Sequence, residues 1–252
     1  MQSETRARPA PLAIDVISVQ PQMFAGFLTE SIVARAVKKG ACSIDLVNLR
    51  DFGEGRWRKV DDRPFGGGPG MLMKCAPWFA AVESCLGRRG LEPGAARPPD
   101  VRVIMTSPAG RTFTQRDAQE LAGARQLVFM CGHYEGFDAR IETLATDLFS
   151  IGDFIMTGGE LAAAAMVDAV VRLLPGVLGG GPAATASESF GRGGLLEAPQ
   201  YTHPPEFRSL RVPEVLLSGD HQRIEAWRLA QARELTARRR PDLLAGQRGE
   251  GQ

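Results

Sequence analysis

Short apolar runs rich in β-branched residues alternate with helix-like segments along the first two thirds of this chain, and this alternation limits the possible folds most. The runs predict strands at 12–19, 43–49, 101–106, 126–131 and 148–151. The segments between and after them predict helices at 27–39, 76–86, 114–122, 138–144 and 159–174. Strands that alternate with helices are typical of an α/β fold with a largely parallel sheet, which we expect here.

Three glycine-marked segments, residues 65–71, 131–136 and 150–160, stand out within this pattern. The second and third each follow an apolar run and precede a helix-like stretch. Glycine permits positive φ and close approach of a ligand to the backbone, and loops at the carboxyl ends of strands are common binding sites. We therefore predict a cofactor site at these two loops; the alternative is that the glycines only form tight βα turns. Because no G-x-G-x-x-G follows the first strand, a dinucleotide site is not indicated.

The composition changes after residue 175. Residues 176–199 are rich in glycine, alanine and serine, which predicts a flexible interdomain linker. Residues 200–245 contain one weak strand candidate, 214–217, and a predicted helix at 221–240 with Asp220 as its N-cap. We expect an α/β domain at 12–175, a small helical domain at 200–245, and tails at 1–11 and 246–252, the first of them disordered.

The formal net charge of +1 over 252 residues gives no global case for a polyanionic partner, so any nucleic-acid contact must come from a local patch. No apolar run approaches the length of a membrane span, and the first residues lack the apolar core of a secretory signal. The four cysteines form no C-x-x-C pair and are expected to be buried, reduced thiols of a cytoplasmic protein. His133, His203 and His221 are too scattered to predict a metal site.

Five segments, residues 60–71, 131–136, 150–160, 174–179 and 213–219, resemble the bacterial tRNA (guanine-N1)-methyltransferases of the SPOUT class, and they occur in the family's order. The resemblance covers nearly the whole chain. It implies methyl transfer from S-adenosylmethionine to N1 of the guanosine immediately 3′ of the anticodon. It also implies a deep trefoil knot and a homodimer with the active site at the subunit interface, whereas pattern reasoning alone predicts an unknotted sheet.

The same resemblance implies residues that hold S-adenosylmethionine. Backbone groups of the segment 151–156 would bind the adenine, and side chains there would pack against it. The implied residues are Pro108, Gly132, Tyr134, Glu135, Gly136, Ile151, Gly152, Asp153, Phe154, Ile155, Met156, Gly158 and Gly159. The sulfonium is already a good leaving group, so the protein would mainly orient it.

Two charges, Asp168 and Arg172, stand at i and i+4 on the otherwise apolar predicted helix 159–174. An exposed ion pair of this kind would be a minor stabilising feature. Because the helix is so apolar, we expect both charges to be buried, which is costly and indicates a function. The resemblance matches Arg172 to the arginine that contacts guanine O6, with Asp168 as its orienting partner.

The resemblance also implies a general base. Guanine N1 is protonated at neutral pH, so a carboxylate within hydrogen-bond reach must remove that proton. The family places an aspartate before Ser-Phe in the linker, and this chain has Glu188 there, with local spacing that allows a shift by one residue. A solvated loop carboxylate is the alternative for Glu188. Asp168 is the alternative base.

Basic residues near aromatic ones suggest contact with an RNA loop, whose phosphates need positive charge and whose bases need stacking faces. Arg56, Arg58 and Arg63 lie near Trp57 and Phe65, although the loop could also be a solvated one anchored by Trp57. Arg208 and Arg223 are candidates in the C-terminal segment, where the resemblance implies binding of the tRNA anticodon stem-loop. Two rival functions stay open: a SPOUT-class enzyme with another target such as a ribose 2′-O, or a non-catalytic RNA-binding relative.

Overall fold

The computed structural model describes residues 11–179, 185 and 187–246, apart from the side chains of residues 192, 245 and 246. The chain divides into two compact units, Met1–Gly179 and Gly180–Gln252. The predicted tails, except residues 11 and 246, and part of the predicted linker lie outside the described residues.

A parallel five-stranded sheet forms the centre of the first unit. The strands of this unit are β1 (Leu12–Ser18), β2 (Cys42–Asn48), β3 (Asp61–Asp62), β4 (Leu72–Met73), β5 (Val101–Thr112), β6 (Gln126–Cys131) and β7 (Asp147–Ser150). The order across the sheet is β2-β1-β6-β5-β7, while β3 and β4 form a separate antiparallel pair. The predicted α/β fold with a parallel sheet is confirmed.

Five α-helices cover this sheet in the described part of the first unit: α1 (Ala25–Thr29), α2 (Ser31–Lys38), α3 (Cys75–Gly87), α4 (Gln115–Ala122) and α5 (Glu160–Val171). The prediction of one helix over 27–39 is wrong, because Glu30 is extended and separates α1 from α2. The Thr29 hydroxyl donates to the carbonyls of Ala25 and Gly26, which satisfies the end of α1. The predicted helix at 138–144 is a 3₁₀-helix, Ala139–Leu144.

Alternate residues of the central strands face two apolar layers, as the period of a β-strand requires. All seven residues of β1 are buried. Ile14, Val16 and Phe129 pack in the layer that contains α4 and α5, whereas Ile17 and Val128 pack in the layer that contains α3. The sheet is therefore covered on both faces, and only its strand ends are available to a ligand.

The four cysteines are free thiols. Cys42, Cys85 and Cys131 are buried as predicted, while Cys75 is only partly buried. Burial raises the pKa of Cys42 to about 11 and that of Cys85 to about 12, which keeps both thiols protonated at neutral pH.

The described part of the second unit contains α6 (Glu214–Leu217), α7 (His221–Arg239), α8 (Pro241–Gly246) and a short hairpin of β8 (Glu206–Phe207) and β9 (Leu210–Arg211). The strand candidate at 214–217 is wrong, since this segment is helical. The hairpin was missed because two-residue strands carry no readable alternation. The predicted N-cap of α7 is confirmed, because the Asp220 carboxylate accepts from the N–H groups of Gln222 and Arg223.

Candidate active site

The second and third glycine segments meet at the carboxyl ends of β5, β6 and β7. His133 and Gly158 form an antiparallel bridge. The Gly159 N–H donates to the Gly132 carbonyl at 2.8 Å, immediately before α5 begins. Two loops that the sequence places far apart are therefore joined at the edge of the sheet where ligands bind in α/β folds.

The end of the first glycine segment, from Gly70 onward, also belongs to this cluster of loops. The Glu135 N–H donates to the Met71 carbonyl at 3.1 Å, and the Met73 N–H donates to the Gly136 carbonyl at 2.9 Å. A Cβ on Gly70 would overlap the Glu135 side chain. The residues predicted to hold a cofactor did not include this segment, although its glycine content was the available signal.

The glycines where the loops meet are required by close packing. A Cβ on Gly159 would overlap the Thr106 hydroxyl, and one on Gly158 would lie 2.7 Å from His133 Nδ1. A Cβ on Gly132 would lie 2.6 Å from the Phe137 ring. None of these three glycines has positive φ, so tight turns do not explain them and close approach does.

The segment 151–156 provides an apolar surface beside irregular backbone. Gly152 has φ of 151°, and its N–H donates to the Ser150 hydroxyl at 3.1 Å. Phe154 and Ile155 are exposed, Ile155 to 82%. Ile151 and Met156 pack against the buried core, and Asp153 is exposed. Two exposed apolar side chains, held in place by two neighbours that pack against the core, suit a flat, partly apolar ligand.

Tyr134 and Pro108 lie at the borders of this cluster. Tyr134 has φ of 58°, a conformation that is costly for a bulky residue. Its hydroxyl accepts from Arg50 Nη2 at 3.2 Å, and its ring lies edge-on to His133. Pro108 is exposed in the part of β5 where the register with β7 shifts. The contacts of Tyr134 hold it in the strained conformation.

A buried carboxylate lies beneath the loops. Glu160, the first residue of α5, is 2% exposed, and the Ser18 hydroxyl donates to its Oε1 at 2.6 Å. Ser18 ends β1. Neither residue was predicted to have a role, because only the tertiary structure brings Ser18 to a segment 142 residues away.

The expectation that Asp168 and Arg172 are both buried is wrong for the single chain. Asp168 is exposed and Arg172 is half-buried at the end of α5. Leu161, two turns before Asp168 on the same helix face, is 59% exposed. The apolar sequence of α5 led to the wrong prediction of burial, because part of the apolar face of this helix lies at the surface of this unit.

Glu188 lies in the second unit, whereas Arg172 lies in the first. It is half-buried, and its backbone carbonyl accepts from the Gly191 N–H at 3.0 Å. Its side chain lines a groove of about 1080 Å³, together with Tyr201 and Arg228, that belongs wholly to the second unit. The surroundings of Glu188 therefore include both apolar and cationic side chains.

Basic and aromatic residues are exposed on the segment between β2 and β4. The Arg56 guanidinium lies 5.5 Å from the Trp57 ring centre, and Arg58 pairs with Asp51 at 2.6 Å. Trp57 is 83% exposed and Phe65 is fully exposed. The alternative that Trp57 anchors the loop is therefore wrong. Arg63 is exposed on the same segment.

The two arginines predicted to bind RNA in the second unit are also exposed. Arg208, at the tip of the β8–β9 hairpin, lies 5.3 Å from the Phe207 ring. Arg223 lies in the first turn of α7. Both side chains are accessible to a partner.

No group of three or more His, Cys, Asp and Glu side chains in residues 11–179, 185 and 187–246 is arranged to hold a metal ion. Within the same residues, no helix has the length and apolar character needed to cross a membrane.

Comparison with known proteins identifies the family. The family model described as tRNA (Guanine-1)-methyltransferase TrmD matches residues 12–246. A tRNA (guanine-N(1)-)-methyltransferase of Moorella thermoacetica is 53% identical, covering 93% of this chain and 90% of the relative. Proteins of the same name from Geobacter sulfurreducens (92% and 91% covered) and Lactiplantibacillus plantarum (93% and 92%) are 51% and 48% identical. Because both the model and the relatives span nearly the full length, the chain belongs to the TrmD family of tRNA (guanine-1)-methyltransferases.

Proposed function

We propose that this chain transfers a methyl group from S-adenosylmethionine to N1 of the guanosine immediately 3′ of the anticodon in tRNA. The observation that carries the proposal is the family match over residues 12–246, together with relatives of about half identity that bear the name of this activity. The joined loops at the strand ends supply a place for the methyl donor.

The described residues fit S-adenosylmethionine. Its adenosine would lie against the segment 151–156, where the apolar side chains of Phe154 and Ile155 are exposed. Gly132, Gly158 and Gly159 would lie beneath it, where neighbouring protein atoms occupy their Cβ positions and pack the loops closely. Pro108, Asp153 and the loop 134–136 would border the rest of the molecule. When bound, the cofactor supplies a methyl group on a sulfonium, which is already activated for transfer.

The residues of the chain would prepare guanine for this transfer. Glu188 would take the N1 proton as general base, a role that requires hydrogen-bond reach to N1. Arg172 would offset the negative charge that develops on O6 as the proton leaves. Asp168, one turn before Arg172, would orient that guanidinium. Correct alignment of N1 with the methyl group would supply much of the rate enhancement.

The exposed cations and rings would bind the tRNA anticodon stem-loop. Arg56, Arg58 and Arg63 would contact phosphates, and Trp57 would offer a stacking face to an unpaired base. Arg208 and Arg223 would extend this contact from a helical tRNA-binding domain at residues 200–245. Such a substrate would place the protein in the cytoplasm.

A homodimer is the assembly that the exposed side of α5 favours. Leu161 and Asp168 lie on this side. A second copy packed there would remove Leu161 from water and enclose Asp168 and Arg172. The active site would then form at the interface, and Glu188, in the proposed linker 176–199, would reach it.

We also propose the deep trefoil knot. The chain leaves β7 at the edge of the sheet, crosses the end of β5 at Thr106 and reaches Gly132 before α5 begins. A return path of this kind suits a chain that is threaded through an earlier loop.

Digestion of methylated tRNA tests the reaction. The protein is incubated with labelled S-adenosylmethionine and unmodified tRNA, and the nucleosides are then separated. We expect N1-methylguanosine from the position 3′ of the anticodon. A 2′-O-methyl product would support another SPOUT-class target, and cofactor binding without product would support a non-catalytic relative.

Replacing Glu188 by Gln tests the base. The variant keeps the shape but cannot accept the N1 proton, so we expect the single-turnover rate to fall by about 100-fold or more. Cofactor affinity, measured by calorimetry, should stay within twofold. Glu197→Gln, another carboxylate that lines the same groove, is the matched control and should keep its rate. A near-normal rate for Glu188→Gln would move the base to Asp168.

A further inference from the structure

Glu160 is a buried carboxylate with only half of its hydrogen bonding satisfied. Ser18 donates to Oε1 at 2.6 Å, but among the described residues no group forms a hydrogen bond with Oε2. Leaving a buried carboxylate oxygen without a donor is costly. The position in the first turn of α5 favours negative charge there but supplies no proton to Oε2.

A second unsatisfied atom faces the first. His133 Nδ1 is buried and has no hydrogen-bond partner in the described part of the chain, and it lies 3.9 Å from Glu160 Oε2. A Cβ on Gly158 would overlap Oε2 and would lie 2.7 Å from Nδ1. The space beside the two atoms is therefore kept clear by glycine.

A single proton between these atoms would satisfy both. Without it, two acceptors face each other in a buried site, which is unfavourable. Of the other titratable groups nearby, burial and then the Glu160 carboxylate raise the pKa of the Cys131 thiol well above its usual value, so it stays neutral. The Tyr134 ring contacts His133, but its hydroxyl is engaged by Arg50. Because the start of a helix favours negative charge on Glu160, the imidazole and not the carboxyl is the donor.

We propose that Glu160 is a positioning residue for cofactor binding, which holds His133 with its proton on Nδ1 and so fixes the loop after β6 to the start of α5. This inference rests on the proposed function. Closing the 3.9 Å gap by about 1 Å gives an ordinary charge-assisted hydrogen bond. Ser18, Glu160 and His133 would then tie the ends of β1 and β6 to α5 beneath the cofactor.

Nitrogen NMR of the imidazole tests the proton position without cofactor. The chain contains three histidines, and His203 and His221 are exposed in the second unit. Replacing both by Gln leaves His133 as the only imidazole signal. In ¹⁵N-histidine-labelled protein at pH 8, we expect Nδ1 to carry the proton. With Glu160→Gln added, the Nε2–H tautomer should become detectable. An unprotonated Nδ1 with Glu160 intact, or no change in Glu160→Gln, would overturn the inference.

Calorimetry with S-adenosylhomocysteine tests the positioning role. Glu160→Ala should raise the Kd at least tenfold, and Glu160→Gln, which keeps the shape, should raise it less. Equal losses of affinity in both variants would contradict the positioning role, as would an unchanged affinity in Glu160→Ala. If Glu160→Ala fails to fold, the Kd of Glu160→Gln and the NMR result still test the positioning role. Absence of cofactor binding by the unaltered protein would refute the proposed function, whereas an unprotonated Nδ1 would refute only this inference.

Discussion

Two glycine-rich regions of the first unit use glycine for different physical reasons. In the segment between β2 and β4, Gly66, Gly67 and Gly68 have positive φ, and a Cβ on any of them would meet no atom within 4 Å. At the junction of the proposed cofactor loops, Gly158 and Gly159 have no positive φ, but their Cβ positions are occupied by neighbouring atoms. The first region needs backbone freedom, and the second needs the absence of a side chain.

The difference indicates how each region works. The crowded junction lies on a sheet that is buried on both faces, so its geometry is fixed by packing. The open loop carries Trp57 and Phe65, whose exposed side chains do not pack in the core. A rigid cofactor site beside an adaptable substrate-binding loop is the arrangement that this contrast suggests.

The largest effect is expected at the crowded junction. Gly159→Ala would place a methyl group on the Thr106 hydroxyl and 3.1 Å from the Gly132 nitrogen. Overpacking of this kind costs about 1–3 kcal/mol. We expect a lower melting temperature and a rise in cofactor Kd of about tenfold, measured by calorimetry.

The matched control is Gly87→Ala at the end of α3, where a Cβ would meet nothing within 4 Å. This variant should leave the melting temperature and the cofactor Kd unchanged. Adding Thr106→Ala to Gly159→Ala should restore part of the loss, because it removes the overlapping oxygen. If Gly159→Ala behaves like Gly87→Ala, close packing does not define the junction.

A smaller and more selective effect is expected for Trp57→Ala. Loss of one stacking face costs about 1–3 kcal/mol of RNA affinity. The tRNA Kd, measured by filter binding, should therefore rise by at least fivefold. Cofactor Kd and melting temperature should not change, because Trp57 is exposed.

Lys38→Ala is the control for the tRNA measurement. Lys38 is exposed at the end of α2, which precedes the start of β2 and lies at the opposite edge of the sheet from the loops. It should retain tRNA affinity. A drop in melting temperature for Trp57→Ala would show that the loop is part of the packed structure after all.

The smallest effect is expected for Gly67→Ala in the open loop. Gly67 has φ of 79°, so alanine would be strained by about 1 kcal/mol but would clash with nothing. We expect the melting temperature to fall by a few degrees at most and cofactor Kd to stay within twofold. A fall in melting temperature and a rise in cofactor Kd as large as those of Gly159→Ala would remove the distinction between the two regions.

Much of the fold could be predicted from the sequence because strand signals are local. The runs at β1 and β6 are apolar throughout, since both faces of these strands are buried. The break at Glu30 and the short β8–β9 hairpin could not be predicted, because each depends on one or two residues. The apolar sequence of α5 gave a wrong expectation for Asp168, since apolar composition does not say whether the covering surface belongs to the same chain.

The sequence by itself determined the parallel α/β architecture and the family, because these depend on periodicity and on motifs read along the chain, and it predicted a cofactor site at the second and third glycine segments. Only the tertiary structure joined Gly158 to His133, added the segment around Gly70 and brought Ser18 to Glu160. The physical reason is that burial and hydrogen bonding depend on neighbours in space. Parallel strands place these neighbours at one edge of the sheet, although they lie up to 142 residues apart in the chain.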